Sequence, residues 1–258
     1  MAKLKLISKT LILILTLLSW ACQTKTNNEN TDTTKTDSSL IKKDSVVTST
    51  ENKIPELEQR MIDQGLVNVQ SLDSTIMVEL KYSTTDNFVG TDVYGDLTRA
   101  YMQQKPAEML AKASKILQSQ YPDYRLLIYD GARPLSVQHK FWALLDTIPP
   151  VKRADFVANP AEGSIHNFGS AVDLTVFDTS TNKPLDMGTK YDYFGDLAYP
   201  ILEDQMLKAG KLTKQQIANR LVLRNTMHKA GYMRIDSEWW HFNAISRAKA
   251  KELYKIIE

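Results

Sequence analysis

Two of the four histidines in this 258-residue chain, His139, His166, His228 and His241, stand beside carboxylates. His166 and Asp173 fall in Ser164-Ile165-His166-Asn167-Phe168-Gly169-Ser170-Ala171-Val172-Asp173, and Glu238 and His241 fall in Ser237-Glu238-Trp239-Trp240-His241-Phe242. Zinc in hydrolases takes three nitrogen or oxygen ligands from the protein and keeps one position open for water. His166, Asp173 and His241 would supply that set, one zinc per chain, leaving Glu238 unligated and close to the water. Taken alone, the first pair reads as a surface histidine beside a turn and an aspartate at a strand edge. The second cluster, in an apolar setting, is what favours the metal. One tryptophan of that cluster is expected in the core, and the other can line a pocket. A third element is Asp130-Gly131-Ala132-Arg133-Pro134 after an apolar run. An arginine there stays charged and can face an oxyanion, although most arginines are solvated or paired. Asp130 can itself be the partner that holds it.

The elements that must position these groups show mixed periodicities. From Ala171 onward Val172, Leu174 and Val176 share one strand face, and Ala171, Asp173 and Thr175 share the other, so Asp173 is expected to point to a polar space. His166 lies an odd seven residues earlier, on the opposite face of any regular strand, and Gly169 is the candidate for the bend that re-aims it. Thr75 to Leu80 alternates as a strand. Pro106 opens a helix with Leu110, Ala113 and Leu117 on one stripe, and Leu126 to Tyr129 reads as a buried strand. Val137, Phe141, Leu144 and Leu145 form a second stripe, closed off by Pro149-Pro150. Thr213 with Gln216 makes a capping-box pattern for a helix to about Lys229, stopped by Gly231. Tyr232 to Ile235 and Trp239 to Phe242 look like short strands, and Ser246 to Ile257 like a terminal helix. This mixture predicts an α+β fold, a single catalytic domain with a central antiparallel sheet flanked by helices. No glycine-rich phosphate loop or dinucleotide fingerprint is present.

The average composition, 43% apolar and 24% charged, suits a globular chain. A net charge of +2 from 32 basic and 30 acidic residues gives no field to recommend nucleic acid. A lone cysteine excludes an intrachain disulfide framework. Lys3, Lys5 and Lys9 precede the apolar run Leu11 to Leu18, the layout of an export signal too short to span a bilayer. Leu18-Ser19-Trp20-Ala21-Cys22 resembles a lipobox, with Trp20 bulkier than usual; an ordinary cleaved signal with an incidental cysteine is the alternative. The expected organisation is a lipoprotein signal over 1–21, a flexible polar tether over 22–53 starting at the lipidated Cys22, and a folded domain over 54–258. The protein is therefore expected on the periplasmic side of a bacterial membrane, held by a lipid anchor only.

Together, Ser164-x-His166-x-x-Gly169-x-Ala171-x-Asp173, Glu238-x-x-His241 and Asp130-Gly131-Ala132-Arg133-Pro134 resemble the D-alanyl-D-alanine dipeptidases of the VanX type. These are zinc D,D-peptidases with a Hedgehog-like α+β fold. Lys81-Tyr82-Ser83-Thr84-Thr85-Asp86-Asn87-Phe88-Val89-Gly90 is similar to the N-terminal part of the dipeptidases specifically, and the resemblance runs from about Leu66 to Phe242. It implies that His166, Asp173 and His241 bind zinc, that Glu238 is the general base and acid, and that Arg133 stabilises the transition state. It also implies that Ser164 holds the substrate, with Asp130 counted beside it as a substrate contact. The implied substrate is D-alanyl-D-alanine or a similar small cell-wall dipeptide. The alternatives are a D,D-carboxypeptidase trimming peptidoglycan stems and a non-catalytic cell-wall-binding lipoprotein. The export signal and tether set this chain apart from the best-known member, which works in the cytoplasm.

Overall fold

The computed structural model describes residues 54–154 and 156–258. The expected signal, Cys22 and the tether lie outside the described residues. In chain order the strands are β1 (Val67–Asn68), β2 (Met77–Val78), β3 (Tyr101–Met102), β4 (Tyr124–Asp130), β5 (Ala171–Asp178), β6 (Lys183–Pro184), β7 (Met233–Arg234) and β8 (His241–Asn243). The helices are α1 (Glu56–Asp63), α2 (Val69–Leu72), α3 (Gln104–Gln120), α4 (Leu135–Leu144), α5 (Pro150–Arg153), α6 (Glu203–Lys208), α7 (Lys214–Ala230) and α8 (Arg247–Leu253). The expected α+β class holds.

The apolar run Leu126 to Tyr129 forms the middle of β4, which pairs antiparallel with β5 in the register Leu126↔Val176 and Ile128↔Leu174. The main sheet runs β2-β4-β5-β8-β7, with β6 against the far end of β5. It is antiparallel except at one edge, where β2 lies parallel to β4. The strand expected over Thr75 to Leu80 shrinks to the two residues of β2 because only Met77 and Val78 find partners on that edge. A separate ribbon joins β1 to β3.

Both faces of β5 are covered. Val172, Leu174 and Val176 pack in the core, while Ala171, Asp173 and Thr175 are equally buried, so the polar face looks into a closed cleft and not into solvent. Helix α3 packs on β4 and α7. It starts two residues before Pro106, which therefore falls in the first turn, where a missing N–H leaves no bond unmade. Leu110, Ala113 and Leu117 are buried as their spacing predicts. In α7, Thr213 and Gln216 form the capping box and Gly231 ends the helix in the left-handed conformation.

Three expectations change at element ends. Leu144 of α4 faces solvent. Pro149-Pro150 opens the short α5, with Pro150 at its first position. The terminal helix stops at Leu253; beyond it the Ile257 N–H donates to the Asn167 carbonyl (2.8 Å), and the Leu135 N–H to the Ile257 carbonyl (2.7 Å).

Candidate metal centre

Asp173 and His241 are cross-strand partners in the β5–β8 ladder, so their side chains rise together from the same face. His166 comes from a 3₁₀ turn, Ile165–Phe168, that ends at Gly169 with φ 61°. A Cβ there would also stand 3.2 Å from the Gln103 nitrogen. That glycine is the bend the odd spacing demands, and it turns His166 back over the start of β5.

The three donor atoms converge. His166 Nε2 is 3.1 Å from His241 Nδ1 and 3.4 Å from Asp173 Oδ1, and His241 Nδ1 is 2.9 Å from Asp173 Oδ1. Ligands arranged tetrahedrally at about 2.0–2.1 Å from a zinc ion would stand about 3.3 Å apart. Each group's remaining polar atom is occupied. His166 Nδ1 donates to the Gly131 carbonyl (2.7 Å), His241 Nε2 donates to Asn243 Oδ1 (2.8 Å), and the Tyr191 hydroxyl donates to Asp173 Oδ2 (2.9 Å). A carbonyl only accepts, so His166 carries its proton on Nδ1 and turns the Nε2 lone pair inward. Lone pairs meeting at one buried point call for a cation, and outer partners that fix both imidazoles are what metal ligands need. The donor set fits a zinc-type ion.

A proton can take part of that role. Burial alone would raise the Asp173 carboxyl, but His166 and His241 beside it hold it well below the usual carboxylate range. Burial opposes charge on His241, yet its bond to Asp173 outweighs this and raises the imidazole to about 9. A metal binding here at neutral pH is therefore expected to displace a proton from His241. Affinity is expected to fall about tenfold for each pH unit below 9, with about one proton released per ion bound at pH 7. Titration calorimetry in buffers of different ionisation enthalpy measures this; binding that releases no proton between pH 6 and 8 would contradict it.

Glu238 stands beside the ligands and not among them. Its Oε2 is 3.8 Å from His241 Nδ1, beyond hydrogen-bond range, and its side chain keeps 36% of its exposure. Desolvation raises its carboxyl above the ordinary value, against the pull of His241. Arg133 is buried, its Nε and Nη2 donating to Asp130 Oδ2 (3.0 and 2.6 Å) and its Nη1 to Gln138 Oε1 (3.2 Å). The guanidinium lies 5.1 Å from the Tyr82 ring centroid and 5.2 Å from that of Phe141. Among the described residues, three of its five N–H donors are thus engaged and two remain.

Asp130, the other residue expected to contact substrate, is fully buried and accepts from the Tyr94 hydroxyl (2.6 Å) as well as from Arg133, so it braces the arginine. A bulge between Ile128 and Asp130 brings it opposite Asp173. Gly131 follows, where a Cβ would lie 2.9 Å from the Tyr101 carbonyl oxygen; glycine allows this close approach while its own carbonyl meets His166 Nδ1. The Ser164 N–H donates to Asn167 Oδ1 (2.6 Å), while its Oγ is buried with no partner among the described residues. Asn167 in turn donates from Nδ2 to the Arg133 carbonyl (2.7 Å), tying the arginine segment to the histidine segment.

Sequence reasoning missed Asn243, Tyr191 and Asp192. Asp192 has a left-handed backbone at φ 57°. Its Oδ1 accepts from the Tyr82 hydroxyl (3.1 Å), and its Oδ2 is buried without a partner among the described residues. Burial, with Asp173 nearby, pushes this carboxyl well above its ordinary value. No local periodicity marks it. Trp239, with Thr175, Tyr191 and Asp192, lines a cavity of about 480 Å³, and Trp240 packs edge-on to Tyr191 at 5.5 Å.

The D-ala-D-ala dipeptidase family model matches residues 62–257. The chain is 29% identical over 177 residues to the D-alanyl-D-alanine dipeptidase of Enterococcus faecium, covering 64% of this chain and 83% of the relative. It is 30% identical over 177 residues to that of Escherichia coli, covering 69% and 83%. It is 26% identical over 196 residues to that of Enterococcus faecalis, covering 71% and 93%.

Proposed function

Because the chain belongs to the D-ala-D-ala dipeptidase family of metallopeptidases, we propose that it is a zinc enzyme that hydrolyses free D-alanyl-D-alanine or a similar small cell-wall dipeptide. One observation carries the reading: the inward lone pairs of His166, His241 and Asp173 meet beside a carboxylate, Glu238, that is not one of them. When bound, zinc supplies Lewis acidity, making a water more acidic and polarising the scissile carbonyl. Glu238 accepts the proton of the attacking water and returns it to the departing amine nitrogen. The two uncommitted N–H groups of Arg133 meet the negative charge that develops on the carbonyl oxygen. Ser164 Oγ, at the start of the turn that carries His166, supplies a hydrogen bond to the substrate. Asp192 Oδ2 receives the substrate's free ammonium, which restores the charge that burial suppresses.

An ammonium receptor discriminates between substrates. Purified protein with added zinc should cleave the free dipeptide and leave a stem pentapeptide ending in the same two residues intact, since the pentapeptide has an amide where the dipeptide has an ammonium. Cleavage of the pentapeptide alone would instead select the D,D-carboxypeptidase; cleavage of neither would leave the cell-wall-binding lipoprotein.

We place the enzyme on the periplasmic side, anchored through Cys22. Membrane fractions should retain the wild type and release Cys22→Ala as soluble protein; equal release of both would favour an ordinary cleaved signal.

A further inference from the structure

The loop 186–197, which carries Tyr191 and Asp192, is held in an unusual way. Among the described residues, apart from the turn at Tyr191–Asp192, no backbone–backbone hydrogen bond ties positions 186–194 to another element. Its placement rests on side chains instead. Trp239 Nε1 donates to Thr189 Oγ1 (2.7 Å), Asn219 Nδ2 to the Asp186 carbonyl (2.8 Å), and Gln216 Nε2 to Asp186 Oδ2 (2.9 Å). One side chain spans both ends. Arg220 of α7 is 1% exposed and donates from Nε to the Met187 carbonyl and from Nη2 to the Leu197 carbonyl, each at 2.7 Å. Its guanidinium also lies 5.9 Å from the Trp239 ring centroid.

Between the two clamped ends the backbone is bent against its preference, with the non-glycine Asp192 left-handed. Such a conformation persists only where the surroundings over-determine it. A planar guanidinium with diverging donors can fix two carbonyls at once, whereas an ammonium is a single point. Its charge is met by Glu203 at 3.4 Å, which Arg224 also binds at 2.6 and 2.8 Å. Glu203 would therefore keep a partner if Arg220 were removed.

We propose that Arg220 is the positioning residue for the substrate's ammonium contact: it sets the loop that presents Asp192, while touching neither metal ligand nor substrate. This rests on the reading of Asp192 given under Proposed function.

The test uses the full, zinc-loaded chain with Arg220→Met and Arg220→Lys. Losing the fork leaves two buried carbonyls without a donor, and KM for the dipeptide should rise about tenfold or more. kcat and zinc content should stay near wild type, and the lysine should recover part of the loss. Amide hydrogen exchange should quicken at Gly188 and Ala198, the hydrogen-bonded amides at the loop's two clamped ends, and stay unchanged in β5 and β8. In an Asp192→Asn background, Arg220→Met should raise KM no further. An unchanged KM with unchanged loop exchange overturns the proposal, as does full additivity with Asp192→Asn. Exchange that quickens equally in β5 and β8 would reduce Arg220 to a general packing residue and also overturns it. Should Arg220→Met not fold, the same readings on Arg220→Lys decide. If the wild type cleaves no free dipeptide, the proposed function fails, and the exchange comparison alone still decides whether Arg220 clamps the loop.

Discussion

Glu238→Gln is expected to fold, to hold its metal, and to lose turnover by about 10²- to 10⁴-fold, toward the upper end because one carboxylate serves two proton transfers. Glutamine keeps the shape and removes only the proton acceptor. The geometry separates this from a bracing role. Glu238 Oε2 stands 3.8 Å from His241 Nδ1, and that histidine is already fixed by Asn243 and Asp173. A Glu238 that merely held the strand would take metal and melting temperature down with activity when replaced. Metal content, melting temperature and turnover on one preparation distinguish the two, and a loaded, folded variant with near-normal turnover rules the mechanism out.

Asp173→Ala should abolish metal retention through dialysis, and activity with it. The substitution removes the only carboxylate of the three inward donors and one of the two acceptors within reach of the Tyr191 hydroxyl, the Tyr82 hydroxyl at 3.0 Å being the other. Asn243→Ala provides a graded control, because it spares the ligands and removes the acceptor that orients His241. Loss of such an outer partner is typically worth about 10- to 100-fold in metal affinity. Asp173→Ala should exceed it clearly. Full occupancy in the aspartate variant would end the assignment of the ligand set.

His166, Asp173 and His241 were legible because their chemistry is rare and local. Two histidines out of four sit in motifs with a carboxylate, and Gly169 explains an otherwise awkward spacing. That Asp173 and His241 are direct cross-strand partners was not legible, since period-2 alternation names a face but no register. That Asp130 accepts from both Tyr94 and Arg133 is not legible either, because a motif shows charge and not burial. Asp192, Tyr191 and Asn243 left no pattern. Two of them lie in a loop without periodicity, and all three act through partners distant in the chain or, for Asn243, through a strand only three residues long. The edge strand around Met77 was over-read for a related reason: alternation reports a buried stripe, whereas pairing depends on how much free edge the neighbour offers.

The backbone of Ile257, bonded to both Leu135 and Asn167, has a consequence for biosynthesis. Chains emerge from the ribosome N-terminus first. Arg133, His166 and Asp173 are therefore exposed well before His241, and the residue that staples their two segments together comes out later still. A nascent chain would hold an open half-site, two candidate ligands without the third, until residue 241 emerges. Stalled chains released before residue 241 should bind the ion weakly if at all, whereas a chain extended past Ile257 gains its last ligand and its staple within the same short stretch.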